Sequence, residues 1–206
     1  MFRRPSALDK QLEEWKQSPY YEEESLREAM ARKARFLQAN GYLRSPAIVH
    51  LETLAVCNAA CVFCPYPQLE RQGVKMPDAL IEKVLGDLAD IPKDQAFQFA
   101  PYKVSEPFIE PRLFDILAQV NARLPNARIS LISNGSPLTE KKIGRLTKLR
   151  NVSYLNISLN AVDALEYESL MKLPFDRTVA RLDALHAAKL RGLAFPVRLT
   201  RVSGGR

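Results

Sequence analysis

No run of about 18 apolar residues occurs anywhere in this 206-residue chain, so a membrane-spanning helix is not expected. The amino terminus, Met1-Phe2-Arg3-Arg4-Pro5-Ser6, begins basic but has no apolar stretch behind it, and no secretory signal is expected either. Histidine is scarce: His50, inside an apolar run, reads as a satisfied core residue, and His186 as a structural or exposed helix residue. Cysteine is as scarce and far more concentrated. All three fall within residues 57–64 and none occurs elsewhere, which argues against a disulfide framework and for a reducing compartment, the cytoplasm by default.

Length and composition set further bounds. A chain of 206 residues can bury a substantial core as one domain, or as one domain with an appendage. Lysine and arginine outnumber aspartate and glutamate, 30 to 23, giving a net charge of +7. That excess is scattered rather than gathered into a patch. Arg27, Arg32, Lys33 and Arg35 are set against Glu22, Glu23, Glu24 and Glu28, the pattern of a solvated helix face. No aromatic–basic motif of the RNA-recognition kind is present, so a nucleic-acid partner is not expected.

The texture of the chain changes near residue 45. Over residues 7–41 the spacing predicts helix, with Leu8, Leu12 and Trp15 on one stripe, Leu26, Met30 and Leu37 on another, and Gly41 where a helix would stop. Residues 1–44 are therefore read as an N-terminal helical extension. Residues 45–206 alternate apolar runs with amphipathic stretches. Strands are predicted at 47–56, 96–102, 129–133, 152–159 and 193–202, and helices at 77–90, 111–124, 139–149 and 176–189. Such repetition is the sequence form of right-handed βαβ units on a parallel sheet, an α/β fold. Periodicity alone leaves an open doubly wound sheet and part of a curved barrel both standing.

The cysteines follow the first predicted strand as Cys57-Asn58-Ala59-Ala60-Cys61-Val62-Phe63-Cys64. Three thiolates this close are suited to one inorganic centre, and a four-iron cube held by three of them leaves one iron open to another molecule. The Cys-x3-Cys-x2-Cys spacing, the asparagine after the first cysteine and the aromatic residue before the third resemble the radical S-adenosylmethionine (SAM) enzymes. That resemblance implies a partial TIM-like (β/α) barrel of about five βα units here, with the site in the first βα loop, at the end of the barrel where sites are assembled. It implies a 4Fe-4S cluster on Cys57, Cys61 and Cys64 and SAM chelated to the fourth iron. It implies an external electron donor of the flavodoxin or ferredoxin type, and a peptide or small-molecule substrate.

The same resemblance picks out residues beyond the cysteines. Phe63 would pack at the adenine. The family carries Glu-x-Thr near the end of the first strand, where this chain has Glu52-Thr53 with the threonine one place early. After the second strand the family has Gly-Gly-Glu, its acid meeting the SAM amino group. This chain has Val104-Ser105-Glu106, with the glutamate in place and two residues that disfavour positive φ for the glycines. Asn134-Gly135 after the third strand is close to the family's Thr-Asn-Gly. Ser158 and Asn160, at the end of the fourth, are candidates for the ribose hydroxyls or the SAM carboxylate. Arg198 on the last strand is a candidate partner for a carboxylate.

The family barrel generally has six or more βα units, so residues 45–206 read as a core that stops after strand five. The region near Arg198 resembles members that continue into a cysteine-rich domain holding auxiliary clusters, which a chain with no cysteine beyond Cys64 does not reproduce. Two alternatives to an active enzyme stand at this point. One is a non-catalytic or truncated remnant. The other is a cysteine-based structural metal protein, although zinc in such a role takes four ligands and His50 is the only imidazole nearby.

Overall fold

Five short strands carry the fold: β1 (Ile48–His50), β2 (Phe97–Ala100), β3 (Ala127–Ser133), β4 (Val152–Ser158) and β5 (Val197–Thr200). They form one all-parallel sheet in the order β1-β2-β3-β4-β5. A doubly wound sheet reverses its strand order at a switch point, and this one does not. Every strand lies beside its sequence neighbour, the winding of a barrel segment, and this decides between the two architectures the periodicity allowed. The computed structural model describes residues 23–41 and 45–202.

The chain divides into two units, one ending at Pro46 and one beginning at Ala47. In the first, α1 (Glu23–Ala39) stops at Gly41, which takes φ 73° and donates its N–H to the Gln38 carbonyl (3.2 Å). The stripe expected around Leu8, Leu12 and Trp15 lies outside the described residues. In the second unit the helices are α2 (Asp78–Ala89), α3 (Leu113–Arg123), α4 (Glu140–Leu146), α5 (Ala164–Met171) and α6 (Phe175–Leu190).

Alternation along the strands separates two faces. Phe97, Phe99, Ile129, Leu131, Leu155 and Ile157 point to the helices and join Leu85, Leu117, Leu146 and Leu185 in one core. Burying each such side chain contributes roughly 1.5–3 kcal/mol. By the same alternation the opposite, inner face carries Ile48, His50, Gln98, Arg128, Ser130, Ile132, Tyr154, Asn156 and Arg198. Strict alternation puts Val152 and Tyr154 on one face, yet Val152 packs against the core. The register explains this: Ile129 pairs with Val152 but Ser130 pairs with Tyr154, so Ser153 is passed over in a bulge that turns Tyr154 inward.

Three elements differ from the sequence expectation. Strand β1 is shorter than residues 47–56 because the chain changes partner after Leu51, whose N–H still reaches Ala100 O (2.9 Å). Thr53 and Ala55 then bond Met76, Val74 and Gly73 on the returning limb of the same loop, with Leu54 and Lys75 bridged antiparallel. Strand β5 begins later than residue 193, since Leu193 and Phe195 are buried in the core rather than extended along the sheet edge. Helix α5 was not expected at all. Its apolar residues lack one clear stripe, but Asp163 caps it, accepting from Glu166 N–H (2.9 Å), and Lys172 ends it in the left-handed region at φ 55°.

Candidate functional site

The antiparallel clamp just described closes the base of a loop that leaves the carboxyl end of β1 and holds all three cysteines. Met76 N–H to Thr53 O (2.8 Å), Ala55 N–H to Val74 O (2.9 Å) and Gly73 N–H to Ala55 O (2.8 Å) are its rungs. Above them the loop rests on α5: Val62 N–H donates to Leu170 O (3.0 Å), and Cys57 and Cys61 pack against a small apolar cluster of Ala59, Ala161, Tyr167, Met171 and Leu173.

All three cysteines are free thiols and half-buried. Backbone N–H groups point at two of the sulfurs, from Ala59 to Cys57 Sγ (3.5 Å) and from Tyr66 to Cys64 Sγ (3.5 Å). Cys61 Sγ lies 3.8 Å from the Met171 carbonyl and 3.7 Å from Met171 Sδ. Burial, the Glu106 charge and the neighbouring thiols push the Cys57 thiol up to about 11, against the pull of the Ala59 N–H. Burial and Cys64 raise Cys61 as well. Among the described residues these sulfurs have no positive partner. A metal centre supplies one and takes the thiols as thiolates, and directed N–H donors suit that charged form.

Glu106 is the second unfinished group. It is 3% exposed, below the third βα loop, and accepts hydrogen bonds from Phe108 N–H (3.1 Å), Ser133 Oγ (2.9 Å) and Asn134 N–H (2.8 Å). Burial outweighs those donors and raises its carboxyl to about 7. Lys142, which exerts a weak pull on it, donates to the Pro137 carbonyl instead (3.0 Å). The same segment is tied to the cysteine loop, by Glu106 N–H to Val56 O (3.0 Å) and by Asn134 Nδ2 to Asn58 Oδ1 (2.9 Å), with Cys57 Sγ at 4.0 Å from that amide. Cys57, Asn58, Glu106 and Asn134 thus come together from three loops.

The absent glycines are explained here. Glu52 accepts the N–H groups of both Val104 and Ser105 (2.8 Å each) and pairs with Arg71. Neither Val104 nor Ser105 is among the residues with positive φ, so the loop before Glu106 is held by Glu52 in a shape that needs no glycine. Thr53 is structural: it is buried and donates to Glu110 Oε2 (2.8 Å). Glu110 in turn holds Arg112 through two bonds (2.9 and 2.8 Å), and Arg112 reaches Thr53 O (3.1 Å), Met76 O (3.0 Å) and Asp78. Nothing in the spacing pointed to this network, because its members come from the two limbs of the cysteine loop, the start of α2 and the loop before α3.

The remaining candidates are arranged more loosely. Phe63 is 44% exposed beside exposed Val62. Asn160 is buried at φ 51°, its Nδ2 donating to Met171 Sδ (2.9 Å) and its Oδ1 accepting from Val202 N–H (2.8 Å). Ser158 is half-buried and in register with Thr200. Arg198 lies lower on the inner face, over the Tyr154 ring. His50 is exposed rather than a core residue, bonded through Nδ1 to Tyr102 O (3.0 Å), and His186 is exposed on α6. Sequence reasoning missed Met171 and Tyr167; the Asp163 cap of α5 was the one signal that could have found them.

Among the described residues, no three His, Cys, Asp or Glu side chains converge as the ligands of a single ion. In an iron–sulfur cube each thiolate takes its own iron, so the sulfurs stand further apart than the ligands of one metal, and three thiols, two of them with N–H support, fit that donor set. Structural zinc fits less well, because it takes four ligands on one ion and no such set converges among the described residues.

Comparison with known proteins agrees with this geometry. Residues 51–200 match the radical SAM superfamily, and the chain belongs to that superfamily. Over 178 residues it is 26% identical to a GTP 3',8-cyclase of Streptomyces coelicolor, a match covering 86% of this chain and 50% of that one. An S-adenosyl-L-methionine-dependent 2-deoxy-scyllo-inosamine dehydrogenase of Niallia circulans is 27% identical over 50% of this chain and 41% of its own length. The crystal structure of Streptococcus suis SuiB bound to S-adenosylmethionine shares the fold, with a TM-score of 0.61 at 17% identity over 95% of this chain and 44% of that one. The chain spans half or less of each of these relatives. The matched curated relatives are enzymes, and no helix among the described residues is long and apolar enough to cross a membrane.

Proposed function

We propose that this chain is the core of a radical SAM enzyme, in which Cys57, Cys61 and Cys64 hold a 4Fe-4S cluster and Glu106 receives the amino group of SAM. When bound, the cluster and SAM supply reductive cleavage of a carbon–sulfur bond, yielding methionine and a 5′-deoxyadenosyl radical that takes a hydrogen atom from a substrate. The observation that carries this reading is the pairing of three thiols with a buried carboxylate, none of them in an ion pair among the described residues, in loops bonded to each other.

The chain's own residues have separable tasks. The clamp at Thr53–Met76 fixes the loop base, and Ala59 and Tyr66 N–H groups face the sulfurs. Asn134 holds Asn58 in place, and Glu106 offers an anionic oxygen at that junction. Phe63, exposed at the loop tip, serves the adenine. Ser158 faces the ribose or SAM carboxylate, while Asn160 holds the end of β4 against α5. The substrate is a peptide or small molecule, and electrons come from a flavodoxin- or ferredoxin-type donor. Free thiols in this arrangement require a reducing compartment, the cytoplasm.

Anaerobic reconstitution tests the assignment. The full chain is expected to take up about four irons with a reducible, paramagnetic cluster, and to form 5′-deoxyadenosine from SAM and dithionite. Replacing Cys57, Cys61 and Cys64 together by alanine is expected to abolish iron uptake; full loading in that variant overturns the ligand assignment.

A further inference from the structure

The interior of a parallel barrel is ordinarily filled by layers of branched apolar side chains. Apart from Ile48 and Ile132, the inner face of this sheet is polar. Gln98 Nε2 donates to Ser130 Oγ (2.5 Å) and to the Tyr154 hydroxyl (3.0 Å), linking β2, β3 and β4 side by side. The Arg198 guanidinium from β5 lies 4.9 Å from the centroid of the Tyr154 ring. Asn156, paired in register with Arg198, donates to Thr200 Oγ1 (3.1 Å) while its own Oδ1 is buried with no partner. The bulge at Ser153 is what brings Tyr154 onto this face.

Charge on the face has one sign. None of the five strands contains aspartate or glutamate, whereas Arg128 and Arg198 both lie on the inner side. Glu52, which follows β1 in phase with His50, is used up by Arg71 and two backbone N–H groups. Arg198 forms no ion pair among the described residues. A planar cation steadied on an aromatic face, with no acid to neutralise it, is suited to receive a planar or tetrahedral anion through paired N–H donors. The amide and hydroxyls beside it are donors and acceptors for neutral polar groups.

We infer that this face is the substrate floor and that it selects a small polar molecule bearing a carboxylate or phosphate, with Arg198 as the anchor and the half-buried Gln98 and Tyr154, braced by the fully buried Ser130, as readers of its hydroxyl groups. The inference rests on the radical SAM reading for what is done to that molecule, but binding itself needs neither cluster nor SAM. Four sugars of one shape test it: glucose 6-phosphate, glucuronate, glucose and glucosamine, titrated by NMR into the full chain, into Arg198→Gln and into Arg201→Gln. The last is a charge control, since Arg201 is exposed and pairs with Glu166 (3.5 Å). The two anions are expected to bind about tenfold more tightly than glucosamine, as one charge-assisted hydrogen bond provides. That preference is expected to vanish in Arg198→Gln and to persist in Arg201→Gln, with the tighter anion identifying the group. Glucosamine binding as well as the anions, a preference that survives Arg198→Gln, or no binding by any probe overturns the inference. Each of these outcomes is independent of 5′-deoxyadenosine formation, so the substrate class and the radical SAM reading fail separately.

Discussion

Glu106 and Glu110 stand one short turn apart in the same loop, both almost fully buried, yet their surroundings shift their carboxyls in opposite directions. At Glu110 burial pushes the carboxyl up, but Arg112 and Thr53 outweigh it and leave it below the ordinary carboxylate range. At Glu106 burial wins, because its donors are neutral. The Glu110 site is complete: acid, cation and two loop carbonyls satisfy one another, and it joins the base of the cysteine loop to the start of α3. The Glu106 site is complete except for a cation. A buried acid whose counter-charge the chain itself supplies serves the fold, and one with no ion-pair partner is the candidate for a ligand's cation.

The largest test of this contrast removes the cation from Glu110. Arg112→Met leaves a buried carboxylate alone, and urea unfolding is expected to show a loss of about 3–5 kcal/mol. Restoring most of it by adding Glu110→Gln would confirm the cause, and a loss below about 1 kcal/mol in the single variant would break the comparison. Next is the pH dependence of the cluster-free chain. The folded state holds the Glu106 proton more tightly than the unfolded state, so this group's contribution is present below about pH 4.5 and is lost as pH rises toward 7, by up to about 3 kcal/mol. Glu110 runs the other way, contributing above its unfolded pKa and losing that contribution in acid. Glu106→Gln is expected to remove the downward slope between pH 5 and pH 7; an unchanged slope assigns it to another group.

A smaller effect concerns the ligand. Glu106→Ala is expected to weaken SAM binding to the reconstituted chain by about 1–3 kcal/mol, read by calorimetry. An unchanged dissociation constant places the amino group elsewhere. Smallest of all is Asp78→Asn. Its side chain is 80% exposed where it meets Arg112, so solvent screening leaves about 0–1 kcal/mol for unfolding to detect. A larger loss would mean that the Glu110 site depends on Asp78 as much as on Arg112.

Periodicity carried most of the fold, because the helices α2, α3 and α6 present apolar stripes and the central strands alternate. It failed where partners change without a change in composition. Residues 51–56 stay apolar although the chain has left β2 for its own returning limb, and Leu193 and Phe195 look like strand residues although they fill the core beneath α6. The bulge at Ser153 was hidden for a similar reason, since serine is unremarkable on a half-buried strand. Local spacing pointed to Cys57, Cys61 and Cys64 because the three share one loop. Glu106 and Asn134 were singled out through resemblance, but the bonds joining them, and the Arg112 network below, span loops far apart in sequence and leave no local trace.

The clamp between Thr53 and Met76 has a consequence for how the site is assembled. Gathering the ends of a loop of about 17 residues from an open chain costs on the order of 2–3 kcal/mol in lost freedom. Here the sheet and the backbone rungs, which involve no cysteine, meet that cost. The three thiols are therefore presented to an incoming metal at high effective concentration, as the arms of a chelator already bent to shape. Filling and emptying of the loop can proceed without strand β1 leaving its neighbour, so loss of iron to oxygen is expected to be a local and reversible event rather than an unfolding one.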